Sequence, residues 1–313
     1  MKIGIVVEGQ MGLTYAQQLG IATRTESLGF DAFYRTDHYE SFPGPADQAT
    51  SDAWSVLAGI SRETSRIALG TLVSPVTFRY PGEYAKVVAT VQEMAGRRVH
   101  AGLGAGWHEW EHRRYGFPFP EMPVRAAMLE EQLSIVRGLW SGPDGWSFNG
   151  THYQISDALF RPKPDPVPWV ITGGEGSPRG MRIAAAHADE FNLTSSSPHT
   201  AREKFAALDA TCAAAGREPA TLVRSAMSGL LIGRNRADYL AGVSRFIERI
   251  GGTGDPEEYL APRRPRWVAG TPEEAATQMR AFRDAGAQRL LLQHFLPLEL
   301  EPLDLLAEIR DAL

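Results

Sequence analysis

The chain has 313 residues, 43% hydrophobic and 22% charged, with a formal net charge of −5. That balance excludes a disordered chain and argues against a basic surface for nucleic acid or an anionic membrane. One cysteine, Cys212, rules out a disulfide within the chain and reads as a small buried residue, and the start "MKIGIVVEGQ" lacks an apolar run long enough for a signal peptide or a membrane span, so a cytoplasmic protein is expected.

Short apolar runs alternate with amphipathic segments. "KIGIVV" reads as a buried strand, and a helix follows from about Thr14 to Leu28, with Gly29 placed to end it. "FDAFYRTDH" is a second strand that runs out in polar Asp37 and His38. A helix carrying Trp54, Leu57 and Ile60 leads to a third strand, "RIALGTLVSPV". Pro81 suits the first turn of a helix with an apolar stripe through Tyr84, Val87, Val88, Val91 and Met94, and "RVHAGLGAG" is the fourth strand.

Leu129, Leu133, Val136 and Trp140 recur at helical spacing. "WSFNGTHYQI" places Asn149-Gly150 between β-prone flanks and reads as an inserted hairpin. "VPWVITGG" is a fifth strand, followed by a helix from Met181 to His187; "DEFNL", "LVRSAMSGLLIG" and "RLLLQHF" complete the series, with a helix from Pro272 to Ala285 before the last. The segment 251–267 shows no periodicity and reads as a long loop. Continuous apolar strands separated by helices imply parallel strands buried on both faces. Eight such units predict a (β/α)8 TIM barrel with insertions, occupying 1–313 as a single domain; a doubly wound sheet is the alternative.

In such a barrel the strand ends carry function. The residues ending the apolar runs are Asp37-His38, Ser74-Pro75, Ala105-Gly106-Trp107, Gly173-Gly174, Asn192 and Gln293-His294. Asp37-His38 reads either as a cap beside a surface histidine or as an acid/base group at the mouth. "GGEGSPRG" reads either as a tight turn or as a phosphate cradle before a helix. "GLGAGW" fails the dinucleotide spacing G-x-G-x-x-G. His108 to His112 satisfies H-E-x-x-H, but only about one helical turn follows before "YGFPFP" and no third ligand extends the motif. A zinc site is therefore not expected; a short polar helix over the mouth, with Trp107 or Trp110 facing inward, is.

Taken together, "TDHYE", "LGTLVSPVTFRYPGEYAKVVATVQEMAGRR", "GLGAGWHEWEHRRYGFPFP", "SFNGTHYQI", "ITGG", "AAAHADEFN" and "VAGTPEEAATQMRAFRDAGAQRLLLQ" resemble the bacterial luciferase-like superfamily, and more closely its actinobacterial members that use the deazaflavin coenzyme F420. The resemblance runs from Met1 to about Phe295, and under it "GWHEWEH" is the family's G-W-x-x-x-E-H turn rather than a zinc motif. It implies a luciferase-like barrel with the cofactor in the mouth, F420 first and FMN as the alternative. His38 matches the family's catalytic proton donor and Asp37 a cofactor-contacting aspartate that orients the histidine or the ring. Leu72, Val73 and Ser74 match a bulged strand end behind the ring, where a non-prolyl cis peptide is expected at Leu72-Val73. Ala105 and Gly106 match the backbone flanking the ring, and Gly173, Gly174, Gly176 and Ser177 the loop that holds the cofactor phosphate. In the family's sugar-phosphate dehydrogenases a glutamate stands where this chain has Trp107, which points to an apolar or planar substrate. The implied function is an oxidoreductase moving a hydride between coenzyme F420 and a small organic molecule. An FMN-dependent monooxygenase and a cofactor-binding barrel without turnover are the alternatives. The expected partners are a small-molecule substrate and a second copy of the chain as a homodimer, with no nucleic acid and no membrane.

Overall fold

A computed structural model describes residues 1–313. The elements run β1 (Lys2–Val7), α1 (Tyr15–Ser27), β2 (Ala32–Arg35), α2 (Ala53–Glu63), β3 (Ala68–Thr71), β4 (Ser74–Pro75), α3 (Pro81–Ala95), β5 (His100–Gly104), α4 (Glu109–Tyr115) and α5 (Met122–Ser141). They continue with β6 (Trp146–Asn149), β7 (Gln154–Ala158), β8 (Trp169–Gly174), α6 (Pro178–His187), β9 (Glu190–Leu193), α7 (Pro198–Ala214), β10 (Val223–Ile232), α8 (Arg236–Arg249), α9 (Pro256–Leu260), β11 (Val268–Gly270), α10 (Pro272–Asp284), β12 (Arg289–His294) and α11 (Glu301–Asp311).

The strands β1, β2, β3 with β4, β5, β8, β9, β10 and β12 pair in parallel, and β12 pairs back onto β1, so eight positions close a TIM barrel. No helix is long and apolar enough to cross a membrane. The sequence explains the ends of the elements. Thr14 and Gln17 form a capping box at the start of α1, and Gly29 follows that helix at φ +78°. Pro81 sits in the first turn of α3 as its fixed φ requires.

Burial divides into two shells. The main cluster of 60 residues lies between the strands and the helices, with Phe33, Trp54, Tyr84, Trp140 and Phe191 among its large members. Inside the barrel a small cluster joins Val6, Ala32, Tyr34, Leu72, Ile171 and Leu291. The base of the barrel is polar: Arg289 donates to Glu190 at 2.6 Å, Trp169 Nε1 donates to the same carboxylate at 3.0 Å, and Tyr34 Oη lies 2.5 Å from His100 Nδ1. Burial, reinforced by the charges of Arg289, Arg98 and Lys2, pushes the His100 pKa far below its ordinary value, so this ring is neutral.

Three local expectations change. The segment 251–267 is not a plain loop: Asp255 caps the short helix α9, and β11 follows, pairing with Leu230–Ile232 of β10 outside the barrel. A helix of five residues is too short to show periodicity. In the hairpin, Asn149 and Gln154 are paired, so the turn spans 150–153 rather than centring on Asn149-Gly150. The Glu131 carboxylate of α5 sets this turn by accepting from the backbone N–H groups of Thr151, His152 and Tyr153. His294 does not face the mouth: the pleat turns it outward, where it is buried and its Nε2 donates to the Glu299 carbonyl at 2.8 Å.

Burial lowers the His294 pKa to about 4, outweighing the bond to Glu299. The folded chain therefore refuses a proton that the unfolded chain accepts near pH 6.5. Stability from this site is complete above that pH and is lost as pH falls toward 4, by roughly 3 kcal/mol in total. Urea unfolding of His294→Gln across pH 7 to pH 4 should show a shallower acid loss than the parent; equal slopes would show that His294 is not the titrating group.

Candidate active site

The parallel arrangement brings every strand's C-terminal end to one side, and the predicted residues Asp37, His38, Leu72, Val73, Ser74, Ala105, Gly106, Gly173 and Gly174 all follow or end strands there. Asn192 is within β9 instead, fully buried, its side-chain amide donating to Ser225 at 2.9 Å.

The floor of the mouth is built by close approach. Leu72-Val73 is a non-prolyl cis peptide, at the bond the family resemblance implied. Leu72 packs down into the inner cluster, while Val73 lies over β5. The glycines of "GLGAG" make room for it: a Cβ on Gly104 would lie 2.7 Å from Val73 Cγ2, and one on Gly102 would lie 2.0 Å from the Thr71 carbonyl oxygen. These glycines serve strand packing, which explains why their spacing matches no nucleotide fingerprint. A Cβ on Gly174, by contrast, would meet nothing within 4 Å, so the mouth is open in front of it. Beyond it Gly176 turns at φ +72°, and Ser177 caps α6 by accepting from Gly180 N at 3.1 Å. Lys204 donates to the Gly176 carbonyl at 3.1 Å and braces this loop from α7. An apolar side chain packed on glycines, open space beside Gly174 and a capped helix start fit a planar heterocycle with a phosphate tail.

His38 stands at the edge of this floor. Its Nδ1 lies 2.8 Å from Glu111 Oε1, and Glu111 Oε2 accepts from the backbone of Tyr39 at 3.0 Å. Glu111 is fully buried. An ionised carboxylate only accepts, so Nδ1 carries the proton and Nε2 is left as the free nitrogen. Glu111 was missed as a functional residue in the sequence because its contact with His38 spans 73 positions; the G-W-x-x-x-E-H pattern was its only signal. Glu8 at the end of β1 was missed as well. It is buried and accepts from Gln10 and from Gln293, each at 2.6 Å, and from Thr36 at 3.3 Å.

Asp37 was expected to orient His38 or the cofactor ring, and its own contacts run to neither His38 nor Glu111 but to Ser74 and Arg79. Its Oδ2 accepts from Ser74 Oγ and from Arg79 Nη1, both at 2.6 Å, and Arg79 also contacts Asp52 and the Tyr39 hydroxyl. Burial opposes the charge on Arg79, but Asp37 and then Tyr39 and Asp52 outweigh it and raise its pKa. A carboxylate held this way anchors the strand ends, and the group that orients His38 is Glu111.

The H-E-x-x-H stretch forms α4 with His108 as its N-cap residue. His112 Nδ1 donates to the His108 carbonyl at 2.7 Å and its Nε2 accepts from Thr77 at 2.6 Å, so both ring nitrogens are engaged. No group of three His, Cys, Asp or Glu side chains is arranged to hold a metal. Trp107 and Trp110 are 64% and 59% exposed, and of the two it is Trp107 that packs beside His38.

The sequence pattern of the luciferase-like monooxygenase family matches residues 1–289. An F420-dependent glucose-6-phosphate dehydrogenase of Intrasporangium calvum is 30% identical over 293 residues, covering 86% of each chain. Its counterpart in Microbacterium testaceum is 32% identical over 202 residues, covering 64% of this chain and 59% of the relative. Among solved structures, an F420-dependent secondary alcohol dehydrogenase in complex with an F420-acetone adduct superposes with a TM-score of 0.82 at 21% identity, covering 99% of this chain and 98% of that one.

Replacing Arg79 with Leu would leave Asp37 buried without its cation. The expected loss is about 3–5 kcal/mol in urea unfolding, the usual effect of breaking a buried pair. A loss under about 1 kcal/mol would show that the pair is not what anchors these strand ends.

Proposed function

This chain belongs to the luciferase-like monooxygenase family, and from that membership and the geometry of the mouth we propose that it is an oxidoreductase moving a hydride between coenzyme F420 and a small organic substrate on a single barrel domain. The reading is supported by relatives named as F420-dependent dehydrogenases. The observation that carries it is the set of strand ends where Val73 packs on glycines and His38, held at Nδ1 by Glu111, keeps Nε2 free.

Coenzyme F420, when bound, supplies the ring carbon that accepts or donates the hydride. The chain's own residues supply orientation and proton transfer. Val73, Leu72 and Ser74 form the backing of the ring site, and Ala105 and Gly106 its flank. Gly173, Gly174, Gly176 and Ser177 present the backbone at the start of α6, where N–H groups and the helix dipole favour a phosphate. His38 Nε2 takes the proton of a substrate hydroxyl, or returns it to a carbonyl, while Glu111 holds the ring in the one tautomer that leaves Nε2 basic. Asp37 acts at one remove, by fixing Ser74 and Arg79. A cytoplasmic location and a homodimer belong to the same proposal.

Side-by-side fluorescence titration should give coenzyme F420 a Kd at least about tenfold below that of FMN, or about 1.4 kcal/mol. The opposite preference would replace the reading with a flavin-dependent monooxygenase.

In single-turnover experiments at saturating cofactor, His38→Ala should slow the hydride step by roughly 10²–10⁴, the usual weight of general acid–base catalysis, with cofactor affinity little changed. A loss under about fivefold would remove His38 from the acid/base role. Glu111→Gln should slow the same step and shift the tautomer, read as a change in the nitrogen-15 shifts of the His38 ring; unchanged shifts would show that Glu111 does not hold the tautomer.

A further inference from the structure

We infer that the substrate is a planar, largely apolar alcohol or carbonyl compound, seated against Trp107 and Phe42 with its oxygen at His38 Nε2; this rests on the function proposed above.

The His38 ring is enclosed edge-on by three other rings. Phe42 lies 4.5 Å away at 79°, Trp107 6.0 Å at 82° and His108 6.2 Å at 86°. These rings touch one another, with centroids 5.4 Å apart for Phe42 and Trp107, 4.1 Å for Phe42 and His108, and 5.0 Å for Trp107 and His108. They form a continuous aromatic collar beside the His38 ring. Burial lowers the His108 pKa, with the neighbouring His38 adding to the effect against the pull of Glu111, so this member is uncharged near neutral pH.

Trp107 directly follows Gly106 and is 64% exposed. A large aromatic side chain held open to solvent beside a reactive group has unsatisfied apolar surface that a ligand can cover. Two guanidinium groups beside the segment that carries His38 are already engaged: Arg79 with Asp37 and Asp52, and Arg114 with Glu40. The Glu8 carboxylate is likewise held by Gln10, Thr36 and Gln293.

The chemistry balances on the groups named. In the oxidative direction the alcohol loses its C–H hydrogen with the bonding electron pair to coenzyme F420 and its O–H proton to His38 Nε2, and the carbonyl forms. The reductive direction returns both.

The test compares 1-(2-naphthyl)ethanol, 2-propanol and glucose 6-phosphate as substrates of the F420-loaded protein, with equilibrium dialysis of 2-acetonaphthone as a readout independent of turnover. The naphthyl alcohol should have the highest kcat/KM. Trp107→Ala should lower the ratio of kcat/KM for the naphthyl alcohol to that for 2-propanol by about tenfold and weaken 2-acetonaphthone binding to match, the weight of one aromatic contact plus its buried area. Trp107→Phe should recover most of both, which separates lost contact from lost folding. Equal losses on the two alcohols, or unchanged binding of 2-acetonaphthone, would overturn the inference. Coenzyme binding with glucose 6-phosphate preferred would overturn it alone, whereas failure to bind coenzyme F420 would overturn the proposed function with it.

Discussion

The hydrogen bond between His38 and Glu111 joins the end of β2 to the helix after β5, and the chemistry of the mouth depends on it. One carboxylate does two things. Its first oxygen fixes the proton on Nδ1 and leaves Nε2 free, and its second holds the backbone of Tyr39. Because Glu111 is fully buried, leaving it without these donors would expose an uncompensated charge to a low-dielectric interior. The position of the imidazole and the path of the chain after β2 are therefore set together. The neighbouring Asp37–Arg79 pair ties the same segment to Ser74 and to Asp52 at the start of α2.

The two ends of the barrel use polar groups differently. At the base, Arg289, Glu190, Trp169, Tyr34 and His100 satisfy one another inside the ring of strands. These side chains hold one another through the Glu190 carboxylate and the Tyr34–His100 contact, so the base contributes to specifying the packing. At the mouth, His38 keeps one nitrogen free, Trp107 is left open, and the space before Gly174 is empty of side chains. Exposed apolar surface and an unpaired nitrogen are costly in a structure that only has to fold, and they are what a ligand-binding face requires. The division follows from parallel topology, which puts all the strand ends on one side.

Similarity to known proteins and the physical reading support each other at different levels. The family match and the dehydrogenase relatives bear on cofactor class. Solved structures at 21% identity bear on fold alone. Neither speaks to the collar of Phe42, Trp107 and His108, which is a property of this chain's own side chains.

Strand and helix order and the closed parallel barrel were legible in the sequence, and the place of the cis peptide in its resemblance to a known family. The elements rest on short-range pattern: apolar runs, helical stripes, caps such as Thr14, and the punctuation at Asp37-His38 and Gly173-Gly174. The interactions that decide chemistry were not legible. Glu111 reaches His38 across 73 positions, Arg79 reaches Asp37 across 42, and Gln293 reaches Glu8 across 285. The outward turn of His294 depended on the pleat phase of β12, which the run Leu290-Leu291-Leu292 does not reveal because both faces are buried. Local propensity and periodicity are fixed by neighbours along the chain, so the sequence alone determined the barrel and its mouth. Which carboxylate holds the histidine, which one is held by an arginine, and which ring packs beside the histidine were decided only by closure of the barrel, because closure brings distant residues within hydrogen-bonding distance.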